Sequence, residues 1–477
     1  FIGLIIRRVT VSERRLITGP TFEEMLHPHL IDPEVRAKAH AARTSAPLDS
    51  INLFNITWRD INNKIQYTVF PPQLTGIETP IAVLTSIHFP TRSHKVGATY
   101  SVLLEKELFG EVAPWTHTMV WPSTGNYGIG GAYVAGRMGC KSIVILPEGM
   151  SRERFEMIES YGAQVIKTPG SESNVKEIYD KTHELGTSDP NVRILNQFEV
   201  MGNYRFHYYV TGNTIVDLAK ELATQGIGSG KVSAYVSAMG SAGTIAAGDR
   251  LKQQWHDHKI VGLEPIQCPT LALNGYGSHD IQGIGDKHVT WIHNVNNMDA
   301  IACIDDVDCK LGLQVFADEG GLKALVSRFG IPQETVDYLK TRLGISSICN
   351  IYGAIKAARH YGLGKDDLVV TIATDGLDRY GSVMDDMRRD YGVVDEVEAV
   401  ARVRSLFHGL KTDWMFDGTP DNRARWHNLK YYTWVEQQGK TVKELDAQKD
   451  PAWWEAEQHK VQDIDTRLKE YRATQKL

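Results

Sequence analysis

Met119-Val120-Trp121-Pro122-Ser123-Thr124-Gly125-Asn126-Tyr127-Gly128 runs from a short apolar segment into a turn of small and hydroxylated residues and then into helix-forming sequence. A strand that ends in such a turn and feeds a helix opens a βαβ unit. The pattern continues with a helix from Tyr133 to Met138, a strand from Ser142 to Leu146, a helix from Arg152 to Tyr161 and a strand from Gln164 to Lys167. Met119 to Thr168 therefore reads as a compact βαβαβ block, which predicts a mostly parallel sheet with helices on its faces. The N–H groups of Ser123 to Gly128 converge at the positive end of the following helix. The turn is accordingly read either as an anion site suited to a substrate carboxylate or as a plain strand-to-helix connection.

Further strands at Val232 to Ser237, Ile260 to Leu263 and Leu368 to Ala373 imply a second α/β lobe. The first of them enters Ser237-Ala238-Met239-Gly240-Ser241-Ala242-Gly243-Thr244, where small residues let the backbone approach a phosphate and two hydroxyls can add hydrogen bonds. No lysine follows as in a P-loop, and the GxGxxG spacing is absent, so a single phosphate group is favoured over a nucleotide. Upstream, Thr91-Arg92-Ser93-His94-Lys95-Val96-Gly97-Ala98 sets a lysine ahead of small residues at the start of a helix expected over Val96 to Glu107. An amine so placed can be held as an imine by an aldehyde cofactor, although most lysines are simply solvated charges.

The 477 residues are enough for two or three domains. A formal charge of -6 carries no footprint for nucleic acid or an anionic membrane, which leaves a small-molecule partner. The five cysteines are scattered and lack a CxxC pair, so neither a disulfide framework nor a zinc cluster is expected, and a reducing, cytoplasmic setting fits. The apolar start, Phe1 to Ile6, is too short to span a bilayer. Because the chain does not begin with Met, its natural N-terminus is expected further upstream. Asp299 to Asp308 reads as a solvated loop and strand rim, His256-Asp257-His258 as surface, and Cys349 as a buried structural thiol.

Residues 1–78 form an extension with one helical candidate, Pro33 to Arg43. Beyond about residue 390 the composition shifts, and five of the ten tryptophans lie there. Thr441 with Glu444 makes a capping box, and Asp450-Pro451 opens a final helix. Trp454, Val461, Ile464, Leu468 and Tyr471 share one face of that helix, which is expected to pack on the body or on a second subunit.

Nine motifs in order carry a family resemblance: Thr79-Pro80, Ser93-His94-Lys95, Ser123 to Gly128, Pro147 to Gly170, Gln197-Phe198, Gly240 to Thr244, Gly262-Leu263-Glu264-Pro265, Gln282-Gly283-Ile284-Gly285, and Asp375 to Tyr380. From about Thr79 to Ser382 the chain resembles the fold-type II pyridoxal-phosphate (PLP) enzymes, the superfamily of cysteine synthase, cystathionine β-synthase, threonine deaminase and the tryptophan synthase β subunit. The resemblance implies a two-lobed α/β fold, each lobe a mostly parallel sheet with helices on both faces, followed by a helical C-terminal tail. Residues 79–110 and 210–388 would form the large PLP-binding lobe, 111–209 the small mobile lobe, and 1–78 and 389–477 the extensions. It further implies pyridoxal 5'-phosphate as cofactor, a small amino acid as substrate and a homodimer as assembly.

Carried over by residue, Lys95 would be the Schiff-base lysine and the base and acid at the substrate α-carbon. Asn126 would bond the ring hydroxyl, and Gly240, Ser241, Ala242, Gly243 and Thr244 would cup the phosphate. Ser123, Thr124, Gly125, Tyr127 and Gln197 would hold the substrate carboxylate. The implied activity is β-elimination or β-replacement on an L-amino acid with a β-leaving group, through an aminoacrylate. Alternatives are a serine/threonine deaminase, a cysteine desulfhydrase-type lyase or, more remotely, a non-catalytic regulatory protein on the same fold.

Two departures from the family stand out. A neutral Ser or Thr usually faces the pyridine nitrogen, whereas here Ala373-Thr374-Asp375-Gly376-Leu377-Asp378-Arg379-Tyr380 is one residue longer before Arg-Tyr. Thr374 is the preferred partner because Asp375 also suits the turn before Gly376, but either residue can take the position. The second departure is His94, better read as a phosphate-side or packing residue than as a proton carrier.

Overall fold

The computed structural model describes residues 15–123, 125–171 and 174–475. Eleven strands are found among them: β1 (Tyr67–Phe70), β2 (Ile81–Thr85), β3 (Thr118–Pro122), β4 (Lys141–Pro147), β5 (Gln164–Thr168), β6 (Val192–Ile194), β7 (Ala234–Ala238), β8 (Lys259–Pro265), β9 (Ala300–Ile304), β10 (Val369–Ala373) and β11 (Met415–Asp417). A seven-stranded sheet runs β1-β2-β10-β7-β8-β9-β11, and a four-stranded sheet runs β5-β4-β3-β6. The smaller sheet is parallel throughout. In the larger one only the edge strands β1 and β11 are antiparallel. This is the two-sheet α/β architecture expected from the alternating pattern.

Strands β2, β9 and β10 are buried along their whole length, as helices covering both faces of a parallel sheet require. The Asp299 to Asp308 stretch is therefore not a solvated rim. Its middle is the buried strand β9, and Asp305 caps the helix Asp306–Ala317 by accepting from the amides of Val307 and Asp308. His258 is likewise buried rather than on the surface, its Nδ1 lying 2.8 Å from the Val232 carbonyl. Strands β1, β2, β6, β9 and β11 are additional to those expected from the pattern. Residues of β6 and β11 number only three each, too few to show a period.

Helices Asn126–Arg137, Met201–Phe206 and Ile345–His360 each begin two residues ahead of the starts the sequence pattern suggests, near Gly128, Asn203 and Ser347. The turns after β3 and β7 both sit at the carboxyl ends of parallel strands, the rim where open α/β sheets place ligands. Among the described residues no helix is long and apolar enough to cross a membrane.

The final helix, Pro451–Thr474, buries Trp454, Val461, Ile464 and Leu468 against the body and leaves Tyr471 half-buried. It also meets the N-terminal stretch, since Asp465 accepts from the amides of Phe22 and Glu23 and Arg472 pairs with Glu24. Deeper in the same contact, Arg205 bridges Glu105 and Glu457 with all three side chains largely buried. Removing one member of such a network strands a charge. Arg205→Met is expected to lower stability by about 3–5 kcal/mol, seen as an earlier thermal unfolding transition, and an unchanged melting temperature would show the network to be dispensable.

Candidate active site

Lys95 is the first residue of the helix Lys95–Leu108 and is only 9% exposed. Its Nζ donates to Ser241 Oγ at 3.2 Å. Burial lowers the amine to about 8, opposed by the nearby Asp286 carboxylate. Asp286 is itself pushed up to about 7 by burial, with Lys95 pulling the other way. At pH 7 such a lysine is neutral in about one molecule in ten, against about one in three thousand at its ordinary value. Asp286 Oδ1 has no hydrogen-bond partner among the described residues. Sequence reading passed over Asp286, although an acid directly after the Gly283-Ile284-Gly285 turn was a visible signal.

The turn Gly240 to Thr244 follows β7 and leads through a 3-10 turn into the helix Ala247–Gln254. A side chain at Gly240 would press on the Gly283 carbonyl at 3.0 Å, and one at Gly243 would overlap the Asn203 amide. Ala242 takes the left-handed conformation with φ 58°. Neighbours hold the turn in place. Asn203 Nδ2 donates to Ser241 Oγ at 3.0 Å, Thr290 Oγ1 to the Ser241 carbonyl at 3.0 Å, and the Tyr235 hydroxyl to the Thr244 carbonyl at 2.9 Å. The result is a concave backbone cup at a helix N-terminus, a geometry suited to a phosphate.

His94 lies beside the cup, its Nε2 3.0 Å from Thr244 Oγ1. Its ring stacks on Trp58 at 5.6 Å and meets the edge of His207 at 5.0 Å. Burial, reinforced by Lys95, holds its pKa well below the ordinary value, so the ring is neutral. It packs beside the Gly240 to Thr244 turn.

Asn126 opens the helix Asn126–Arg137 and donates from Nδ2 to Asp375 Oδ2 at 2.6 Å, while its Oδ1 is buried without a partner among the described residues. Asp375, fully buried, also accepts from the Tyr380 hydroxyl at 3.0 and 3.2 Å and lies 3.7 Å from Arg154. Thr374 is half-buried, and its carbonyl accepts from Ser86 Oγ at 2.6 Å.

In the first turn, Ser123 Oγ accepts from the amides of Gly125 and Gly128 at 2.9 and 2.8 Å, so this hydroxyl ties the loop to itself. Gly125 has φ 145°, and any side chain there would overlap the Arg154 guanidinium, which leaves glycine as the residue that fits. Tyr127 is buried with its hydroxyl donating to the Leu195 carbonyl at 3.2 Å. Gln197 donates to the Pro122 carbonyl at 3.4 Å. Thr124 lies outside the described residues.

The tail contributes a contact that the sequence did not reveal. Lys430 Nζ, fully buried, donates to the Trp291 and His293 carbonyls and to Gln448 Oε1 at 3.0, 2.6 and 2.6 Å. Trp434 Nε1 adds a bond to the Val289 carbonyl at 2.8 Å. Residues 389–477 thereby grip the segment that follows Asp286 and carries Thr290.

A desolvated amine, a backbone cup that excludes side chains, and an amide oxygen with an unused acceptor together suit an aromatic aldehyde that bears a phosphate. Fold and site define a PLP-dependent enzyme of the two-lobed α/β class. The family model described as pyridoxal-phosphate dependent enzyme matches residues 82–375, and the chain belongs to that family. A cysteine synthase of Staphylococcus aureus is 30% identical over 296 residues, spanning 61% of this chain and 84% of that protein. A probable cysteine synthase of Bacillus subtilis is 30% identical over 292 residues, with 61% and 85% covered. Among solved structures, O-acetyl serine sulfhydrylase isoform 3 from Entamoeba histolytica matches with TM-score 0.57 and 26% identity, over 71% of this chain and 92% of that one. The O-acetylserine dependent cystathionine β-synthase from Helicobacter pylori matches with TM-score 0.55 and 27% identity, over 66% and 94%.

If cofactor is captured by the amine of Lys95, its lowered pKa predicts the pH dependence of that capture. In protein stripped of cofactor, the rate of PLP uptake is expected to rise about tenfold between pH 7 and a plateau above about 9, with a midpoint near 8. Asp286→Asn removes the charge that holds the Lys95 proton, so the midpoint should move to lower pH. A midpoint left unchanged, or moved upward, would refute the coupling.

Proposed function

We propose that this enzyme, whose class works by elimination and replacement at the β-carbon, acts on a small L-amino acid with a β-leaving group in the manner of the cysteine synthases it resembles. The observation that carries the reading is the dry Lys95 amine between the phosphate cup and Asp286, held largely by burial near neutrality. Gly240 to Thr244 would hold the cofactor phosphate and Asn126 the ring. When bound, PLP supplies an electron sink for the bond broken at the α-carbon. Lys95 takes the α-proton and later returns one, work suited to an amine that titrates near the operating pH. Asp286 holds the Lys95 proton while it is carried and steadies the charge. The loop Ser123 to Tyr127, with Gln197, presents backbone and amide donors to the substrate carboxylate. Asp375 rather than Thr374 is assigned to the ring side of the site, because its buried carboxylate already meets Asn126 and is oriented by Tyr380.

The division of labour follows the sheets. The four-stranded sheet, drawn from within residues 111–209, would move as the small lobe against 79–110 and 210–388, with 1–78 and 389–477 bracing the large lobe. A homodimer working in the cytoplasm completes the reading.

The test is an absorption spectrum followed by product analysis. Protein purified with PLP is expected to show the visible band of lysine-bound cofactor, and Lys95→Ala should lose that band together with about 10²–10⁴-fold or more of the activity. O-acetylserine with sulfide should give cysteine. Pyruvate formed at the same rate with and without sulfide would mark a deaminase or lyase instead. A Lys95→Ala variant that keeps both band and activity would sink the assignment.

A further inference from the structure

Against the loop that leads to Lys95 lies a cavity of about 240 Å³. It is lined by Arg43 from the N-terminal stretch, His88 from the loop that leads to Lys95, and Tyr133, Arg137 and Tyr161 from the layer on the smaller sheet. The Arg137 side chain is 3% exposed. It lies 3.4 Å from the centroid of the Tyr133 ring and donates to the carbonyls of Tyr133 and Pro47, while its Nε has no partner among the described residues. Arg43 donates to the His88 carbonyl.

Among the described residues neither guanidinium has a carboxylate within ion-pair distance. Arg342 approaches His88 as a third cation, and together with burial these charges lower the His88 pKa, which leaves that ring neutral. The acids in the neighbourhood do not balance them. Asp378 is engaged by Arg92 at 2.9 Å, and Asp60 acts on His88 less than any of burial, Arg342 and Arg43. A chain with net charge -6 has thus gathered one buried cation, Arg137, and two half-buried ones, Arg43 and Arg342, without counter-ions among the described residues, around a space with room for several waters at about 30 Å³ each. A buried charge left without a counter-ion is destabilising, so a fold that keeps one gains by binding its complement. Stacking on Tyr133 accounts for the position of Arg137, but not for the cavity or for a second guanidinium across it.

We propose that this cavity binds a small doubly charged oxyanion, held between Arg43 and Arg137. Guanidinium forks match the paired oxygens of sulfate, phosphate or a carboxylate, and the neutral His88 and two tyrosines can complete the shell. An anion there ties the N-terminal stretch to the helix Asn126–Arg137, which begins at Asn126, and to the loop that ends at Lys95. The site lies outside the catalytic machinery, so its test does not depend on which amino acid the enzyme uses.

The experiment takes enzyme saturated with PLP, so that the phosphate cup is filled, and follows thermal unfolding against sulfate, phosphate and succinate at ionic strength held constant with sodium chloride. The melting temperature is expected to rise saturably with sulfate or phosphate if an inorganic anion is the ligand, and with succinate if the carboxylates of a metabolite are. Arg43→Gln and Arg137→Gln should each shift half-saturation upward by about tenfold or more, the effect of losing one charged hydrogen-bond donor. Arg43 is only half-buried, so its variant remains informative if Arg137→Gln fails to fold. No saturable rise with any of the three anions, or half-saturation unchanged in Arg43→Gln, overturns the proposal.

Discussion

The structure turns on the cost of keeping a lysine amine dry. Lys95 is removed from water at the head of a helix, and burial weakens its hold on the proton, lowering its pKa to about 8. Asp286, equally buried, opposes that effect, and each group limits the shift of the other. Neither value is a property of one residue. Two opposite charges in a poor solvent hold each other ionised against burial, and the surrounding packing maintains the balance by keeping water out.

That packing is assembled from distant parts of the chain. The Gly240 to Thr244 turn is braced by Asn203 and Thr290, from two separate elements, and Thr290 lies in a segment gripped from behind by Lys430 and Trp434 of the tail. The N-terminal stretch reaches the same place from the other side, where Trp58 stacks on His94 and bonds Thr211. Both extensions thus pack against the residues around Lys95 and the Gly240 to Thr244 turn, and they are joined to each other through Asp465 and Arg472. The contact between the two sheets is built likewise, with Asn126 and Arg154 meeting Asp375 and Tyr380.

Much of the fold was legible because parallel strands buried on both faces leave near-continuous apolar runs, and because turns that feed helices need small residues. The Ser123 to Gly128 and Gly240 to Thr244 turns could be read for that reason. Strand β9 was missed because flanking aspartates drew attention to the ends of a buried segment. His258 was missed because a polar triplet carries no mark of which member points inward. Asp286 belongs with these. A carboxylate beside a glycine turn is ordinary in sequence, and only its burial near Lys95 makes it chemical.

The sequence by itself determined the class of this protein: a parallel α/β fold with a lysine ahead of two small-residue turns that feed helices, in the order of the PLP-dependent enzymes. Local backbone requirements are written into neighbouring residues, so they survive in a linear reading. The tertiary structure decided what depends on distance through space. It brought Asp375 onto Asn126 across 249 positions, set Asp286 near Lys95, and folded both extensions against the site. Electrostatics and exclusion of water act between residues that the chain holds far apart, and folding alone brings them within range.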